Sequence, residues 1–232
     1  MDNYLKYLQS IQTPKNFQRK VDYLKYNFSK YFTKNNLSVL EIGPGLGELI
    51  YYLNQKDIKT IDIIDQDKEI LQNIKQKYHI RKSFLGDISI TSLKEKYDVI
   101  FLLQVLEHIP KNKYVKLINK LYQQLNPKGK IIITVPNGNN PLNLTERYSD
   151  LTHQILFTEN SLKEIPNYCK LPENANITIQ PYSIPPYSLI NIIRIVFQKI
   201  LHIFIFLSLI LNGGAYSQFL TPNITLIITK NE

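Results

Sequence analysis

From Ser38 to Val135, short runs rich in β-branched and aromatic residues alternate with longer stretches of helical periodicity, and this alternation restricts the fold more than any other feature. The runs are SVLEI (38–42), KTIDII (59–64), KSFL (82–85), YDVIFLL (97–103) and KIIITV (130–135), with helical patterns near 47–54, 67–77 and 111–125. Strands joined through helices pair in parallel, and the helices then cover both faces of the sheet. A further helix is expected near 160–168, with strands at NITIQ (176–180) and NITLIIT (223–229). Open parallel sheets bind ligands at the carboxyl ends of their strands, so the loops after Ile42, Ile64, Leu85, Leu103 and Val135 are the places to look for chemistry.

The first of these loops reads Glu41-Ile42-Gly43-Pro44-Gly45-Leu46-Gly47. Its glycines permit a sharp turn and close approach of a ligand to the backbone, with a helix N-terminus behind. The spacing is G-x-G-x-G; the third glycine of a dinucleotide fingerprint would fall at Glu48, which disfavours NAD. The second strand runs out at Asp65, 22 residues beyond Gly43, where a carboxylate can accept from both ribose hydroxyls, and Gln66 follows it. Asp62 is a rival inside the strand. The third strand ends in Gly86-Asp87-Ile88, where Asp87 can accept from an adenine amine and Ile88 can pack on the ring. Each of these acids alone reads as a cap or turn residue, but at three consecutive strand ends they describe an adenosine pocket.

With these residues in place, the chain resembles the class I S-adenosylmethionine-dependent methyltransferases over roughly residues 37–170. VLEIGPGLGELI is similar to the family's first motif, IDIIDQDKEIL to the second, LGDI to the third, YDVIFLLQVLEHIP to the fourth and LNPKGKIIITVPN to the fifth. The resemblance implies an α/β, Rossmann-like, doubly wound sheet of seven strands whose last, NITLIIT, is antiparallel. It implies S-adenosyl-L-methionine as cofactor: Glu41 near the methionine amine, Gly43, Gly45 and Gly47 along the methionine and ribose, Asp65 and Gln66 at the ribose, Asp87 and Ile88 at the adenine, and Gln104 on the loop after the fourth strand. The rRNA adenine dimethylases resemble the chain at EIGPGLG but carry N-[LI]-P-[YF] after the fourth strand. Here that loop is Leu103-Gln104-Val105-Leu106-Glu107-His108, without an aromatic clamp for a flipped base.

On the acceptor side, VLEH and TVPN resemble a subgroup containing ubiquinone-pathway O-methyltransferases and glycan-biosynthesis methyltransferases, and RYSDLTHQILFTENSL (147–162) resembles an element associated with surface-polysaccharide pathways. An unactivated alcohol must lose its proton as it attacks, and histidine suits that role. The candidate bases are His108 and His153, either of which reads equally as a packing or hydrogen-bonding residue. Arg147, Tyr148 and Asp150 are the candidate acceptor contacts; Arg147 and Asp150 also read as a local salt bridge. Some quinone O-methyltransferases hold a divalent ion through E-x-x-E-H at this loop. Gln104 removes the first carboxylate here, so no metal is expected.

Charge adds a partner question. The chain carries 28 Lys+Arg against 19 Asp+Glu, a net +9, and residues 1–34 hold seven basic residues against Asp2 and Asp22, or +5 of it. Without a basic run or an Arg-rich cluster, nucleic acid is disfavoured as partner. Phe17, Val21, Leu24, Phe28 and Phe32 form the apolar stripe of an amphipathic helix over 15–32. Cys169 is the only cysteine, which excludes an internal disulfide and fits a reducing cytoplasm, and MDNYLKYLQS has no apolar core of a signal peptide. Leu189–Leu211 is almost wholly apolar, with Arg194 and Lys199 its only charges. Its uncharged run, Ile200–Leu211, is short for a span, and a crossing would separate the last strand from its sheet. Three readings stay open: a helical lid, a homodimer surface, or a helix lying on an anionic membrane with its cations snorkelling to headgroups.

The expectation is therefore a basic helical segment (1–36) ahead of a methyltransferase domain (37–232) with an apolar helical insertion at 185–218. It would be a cytoplasmic enzyme, at most peripherally membrane-associated. It would O-methylate a sugar hydroxyl of a small-molecule or lipid-linked glycan precursor. The alternatives are a quinone or other phenol as acceptor, or a catalytically silent cofactor-binding subunit that docks a partner.

Overall fold

The computed structural model describes residues 4–143, 145, 148, 150–214 and 217–231. Its strands are β1 (Ser38–Ile42), β2 (Thr60–Asp65), β3 (Lys82–Leu85), β4 (Tyr97–Leu103), β5 (Leu125–Pro136), β6 (Asn176–Pro181) and β7 (Asn223–Thr229). They form one sheet in the order β3-β2-β1-β4-β5-β7-β6. β1 to β5 pair in parallel, and β7 runs antiparallel to both neighbours. The expected Rossmann-like sheet with an antiparallel last strand is present.

The helices are α1 (Tyr4–Ile11), α2 (Pro14–Phe28), α3 (Glu48–Gln55), α4 (Lys68–Lys77), α5 (Tyr114–Gln123), α6 (Glu159–Tyr168) and α7 (Leu189–Leu211). Alternate strand residues feed two cores, because side chains on a strand point to opposite faces. Leu40, Ile100 and Ile131 pack with Leu117 of α5 and Leu162 of α6, whereas Val39, Phe101 and Ile132 pack with Phe28 of α2, Leu49 of α3 and Ile70 of α4.

Local chemistry sets the helix starts. Thr13 caps α2 by accepting from the Asn16 amide, with Pro14 at the first helical position, and Asp67 caps α4 by accepting from the Glu69 and Ile70 amides. The stripe Val21, Leu24, Phe28, Phe32 is buried, and Phe28 meets Phe101 edge-on at 5.5 Å between centroids. The basic N-terminal helix thus shares a core with the sheet while Lys15, Arg19, Lys25 and Lys30 stay exposed. The expected helix over 111–125 divides into a 3-10 turn, Lys111–Lys113, and α5. β5 begins earlier than expected, and its pairing with β4 shifts register between Tyr97 and Val99.

The direction of β7 fixes the geography of the site. Its first residue, Asn223, pairs with Pro136 at the end of β5, and Pro181 at the end of β6 pairs with Ile224. The chain therefore leaves the sheet into α7 and returns from it at the carboxyl edge, the edge that also carries the glycine loop. Among the described residues, α7 contains no buried side chain, and it is long and apolar enough to cross a membrane by length and composition.

Candidate active site

The turn from β1 into α3 is built on left-handed glycines. Gly43 has φ +69, and a Cβ there would stand 2.8 Å from Val105 Cγ2; Gly47 has φ +87, and a Cβ there would stand 2.6 Å from Ile74 Cδ1 and Tyr78 Cε2. Gly45 differs: its φ is +54, but the position a Cβ would take faces open space. The backbone is thus packed tightly at both ends of the turn and open in its middle. Directly before it, Glu41 is only 3% exposed, and its Oε2 has no hydrogen-bond partner. Burial, followed by the nearby Glu48 and Asp65 carboxylates, raises the Glu41 pKa well above the usual range.

At the end of β2, Asp65 accepts from the Asp67 amide at 2.8 Å, and burial raises its pKa to about 6. Gln66 beside it is exposed. Asp62 is fully buried and engaged from two sides, by the Arg81 guanidinium (2.9 and 2.6 Å) and the Tyr97 hydroxyl (2.8 Å), which makes it a structural tie between β2, the residue preceding β3, and β4. Of the two carboxylates on β2, Asp65 is the one at the edge. After β3, Asp87 accepts from the Ser89 amide (2.8 Å) and the Lys113 ammonium (3.0 Å). Partial burial raises its pKa, but these bonds outweigh burial and hold it below the usual range. Ile88 is 5% exposed and belongs to the core with Leu93, so its side chain is set into the protein.

The loop after β4 begins at Gln104, a non-glycine residue with φ +56, whose amide donates to Thr134 O while its side chain donates to Asn223 Oδ1 at 3.2 Å. A 3-10 turn, Leu106–His108, follows. The Gln154 amide donates to Glu107 O at 2.8 Å, latching the loop at 150–154 onto this turn. Across the latch, Thr152 Oγ1 donates to Asp150 Oδ1 at 2.6 Å and lies 2.7 Å from His108 Nδ1. A hydroxyl has one proton. With it committed to Asp150, the Thr152 oxygen accepts from His108, which places the imidazole proton on Nδ1 and leaves a lone pair on Nε2. Burial and then the neighbouring His153 lower the His108 pKa, partly countered by Asp150.

The His108 and His153 rings lie 4.7 Å apart between centroids. The structure thus brings the two candidate bases together and sets Asp150 behind one of them. Tyr148 is 72% exposed, and Arg147 lies outside the described residues. One ligand atom from each of Glu107, His108 and His153 also falls within 4.8 Å of the others, a trio able to approach a cation. Gln104 is no part of this trio, whose third member, His153, comes from a loop 45 residues away.

Three further residues contribute to the site. Lys113 reaches Asp87 from the turn before α5, Thr152 connects His108 to Asp150, and Tyr4 of α1 lies in the field of the site's carboxylates. The Tyr4 phenol on α1 has its pKa raised by burial and then by the Asp150 and Asp65 carboxylates, one from each side of the site. Tyr4, Leu5, Tyr7, Leu8 and Ile11, at spacings of three and four, are the sequence signal for α1.

Comparison with known proteins gives this geometry its family. The model of a methyltransferase domain matches residues 11–167, and the chain belongs to that family. It is similar to a ribosomal RNA small subunit methyltransferase A of Hydrogenobaculum sp., 33% identical over 92 residues, covering 39% of this chain and 35% of that one. It is also similar to a malonyl-[acyl-carrier protein] O-methyltransferase of Priestia megaterium, 32% identical over 114 residues, covering 47% of this chain and 41% of that one. The matches span between 35% and 55% of the length of the curated relatives. Among solved structures, a SAM dependent methyltransferase from Archaeoglobus fulgidus shares the fold with a TM-score of 0.65 at 20% identity, over 93% of this chain and 97% of that one. The plantazolicin methyltransferase BpumL in complex with SAH does so with a TM-score of 0.62 at 18% identity, over 98% and 88%. Fold and family define a class I S-adenosylmethionine-dependent methyltransferase.

The residues present fit that cofactor. The unpartnered buried Oε2 of Glu41 is suited to a cationic donor such as an α-amine, the open flank of Gly45 leaves room along the backbone, and Asp65 stands at the strand edge with acceptor capacity left for hydroxyls.

Proposed function

We propose that the protein transfers a methyl group to a hydroxyl oxygen, and that the acceptor is a sugar hydroxyl of a glycan or lipid-linked glycan precursor on the cytoplasmic side. The observation that carries this reading is the His108–Thr152–Asp150 relay. S-adenosyl-L-methionine supplies a methyl group on a sulfonium, which an oxygen nucleophile displaces in line. What the chain must add is alignment and removal of the hydroxyl proton. His108, neutral near pH 7 because its pKa is lowered, takes that proton on Nε2, while Asp150 through Thr152 favours the imidazolium that results. Glu41 and Asp65 anchor the cofactor from the β1 and β2 ends; Tyr148 and Arg147 remain the proposed acceptor contacts.

A built base discriminates between acceptors. A carboxylate, the kind of oxygen suggested by the name of the malonyl-[acyl-carrier protein] relative, needs no deprotonation, and a phenol or quinol needs little. An aliphatic hydroxyl needs it most, in agreement with the RYSDLTH element that resembles those of polysaccharide pathways. The loop from Gln104 to His108 offers no aromatic residue to clamp a base, which weighs against RNA.

The test is transfer from methyl-labelled S-adenosylmethionine into a glycolipid extract, a quinol and a bulk RNA preparation in parallel. The expected product is a label in the glycolipid fraction that survives mild alkali, as an ether does. An alkali-labile ester, or label in quinol or RNA alone, overturns the reading.

A further inference from the structure

We propose that α7 lies in the surface of an anionic lipid bilayer and seats the carboxyl edge of the sheet against it. The first ground is that the helix leaves apolar side chains open to solvent along its whole length. Its half-buried positions are Asn191, Ile195, Gln198, His202, Ile205, Phe206 and Leu209, and none of its side chains is buried. Three of those seven are polar, and partial burial lowers the His202 pKa. The exposed residues are mostly apolar, including Ile193, Phe197, Ile200, Phe204, Leu207 and Leu211, all at least 45% exposed. A surface helix in water shows the opposite arrangement.

The second ground is reach. Twenty-three residues extend about 34 Å, enough to cross the hydrocarbon core. Yet both flanks are fixed on one side: the Tyr182 amide donates to Asn223 O at 3.1 Å, joining the outgoing and returning chain, and the Gln218 amide donates to Glu159 Oε2 at 2.8 Å. Six residues from Leu211 to Ser217 reach about 20 Å, too little to return across a bilayer. The helix therefore lies along the interface instead of crossing it.

The third ground is charge. Arg194 and Lys199 are the only charges on α7, and the helix base is flanked by the basic helix α2: Lys25 stands 5.7 Å over the Tyr187 ring, Tyr26 meets the same ring at 6.0 Å, and Asn27 bonds Ser183 in both directions at 2.9 and 2.8 Å. Anionic headgroups are the complement of this cation set. A second copy of the chain would cover one stripe of α7 and leave the rest of its wide apolar arc in water, whereas lipid covers the whole arc. If the methyl-transfer reading also holds, this seating brings the site mouth to the bilayer and an acceptor carried on lipid within reach.

Flotation of the full chain with vesicles of phosphatidylcholine, alone or with one third phosphatidylglycerol, tests the proposal. The wild type is expected to float with the anionic vesicles, and Phe197→Glu/Phe204→Glu to lower the bound fraction by roughly tenfold or more. Lys25→Glu/Arg194→Glu should lose binding selectively on anionic vesicles. Because the chain has no tryptophan, Phe204→Trp gives a single emission band expected to shift to the blue on vesicle addition. Equal affinity of wild type and Phe197→Glu/Phe204→Glu for S-adenosylmethionine shows that the variant is folded. A wild type that stays unfloated at both compositions overturns the proposal, as does a dimer that the variant dissolves while neither protein floats. Flotation without any methyl transfer leaves the membrane seat standing and removes the transfer reading alone.

Discussion

Replacing Glu41 with Gln separates two consequences of burying a carboxylate where no protein group meets it. The side chain is 3% exposed with Oε2 unpartnered, and burial raises its pKa well above the ordinary 4.5. The unfolded carboxyl releases its proton near pH 4.5, while the folded one keeps it to higher pH. Across that window the native state binds more protons than the unfolded state, so stability falls as pH rises, by about 1.4 kcal/mol per pH unit until the folded pKa is passed. The Glu41→Gln variant carries no such proton. Its melting temperature in the absence of ligand should match wild type near pH 4.5 and exceed it increasingly above, by about 3–6 °C per pH unit for a chain of this size. S-adenosylmethionine should reverse the order. A charge-assisted hydrogen bond to a cationic donor contributes about 1.5–3 kcal/mol, so the variant should bind roughly 10–150-fold more weakly. Thermal scanning from pH 4.5 to 8, with and without cofactor, and titration calorimetry read both effects. A melting difference independent of pH, or equal cofactor affinity, would refute the reasoning that Glu41 is an unpaired buried acid awaiting a cation.

Other outcomes follow from the relay and the turn. His108→Ala should lower turnover by about 10²–10⁴-fold with cofactor affinity unchanged, and Thr152→Val should lower it less by freeing the tautomer; full activity in both removes His108 as base. Because its folded pKa is lowered, the acid limb of the turnover profile should fall below pH 6.5, activity rising with pH as His108 loses its proton; a limb above 6.5 contradicts the assignment. Gly47→Ala places a Cβ 2.6 Å from Ile74 and Tyr78 at φ +87, and should cost about 1–3 kcal/mol in denaturant melts. Chelator treatment followed by dialysis should leave turnover unchanged if the relay suffices; loss restored by one divalent ion would assign Glu107, His108 and His153 to a metal instead.

The parts of the site legible in the sequence are those carried by a single strand and the loop behind it. Glu41 with its glycine turn, Asp65 and Asp87 each lie within two residues of the end of one β-rich run, so the strand pattern marked their loops, while their expected roles toward the cofactor came from the family resemblance. The exceptions show the limit. Ile88 lies at a strand end too, but its side chain turns into the core with Leu93, and only packing decides which way a loop residue points. Asp150, expected at the acceptor, is engaged with Thr152 and stands behind His108. The Asn-rich stretch after β5 is a tie: the Asn137 side chain donates to Phe219 O and Thr221 O, and Asn143 to Asn137 O and Pro222 O, binding the return from α7 to the end of β5.

By itself the sequence determined the αβ alternation, the cofactor edge and the apolar insertion, because periodicity, turn chemistry and hydropathy act over a few residues. Tertiary structure decided which histidine receives a tautomer-fixing partner 44 residues away and that α7 leaves its apolar side chains exposed. Those outcomes depend on which loops meet at the edge of a sheet whose last strand runs backwards. That meeting is set by the packing of the whole chain and leaves no trace in any local stretch of it.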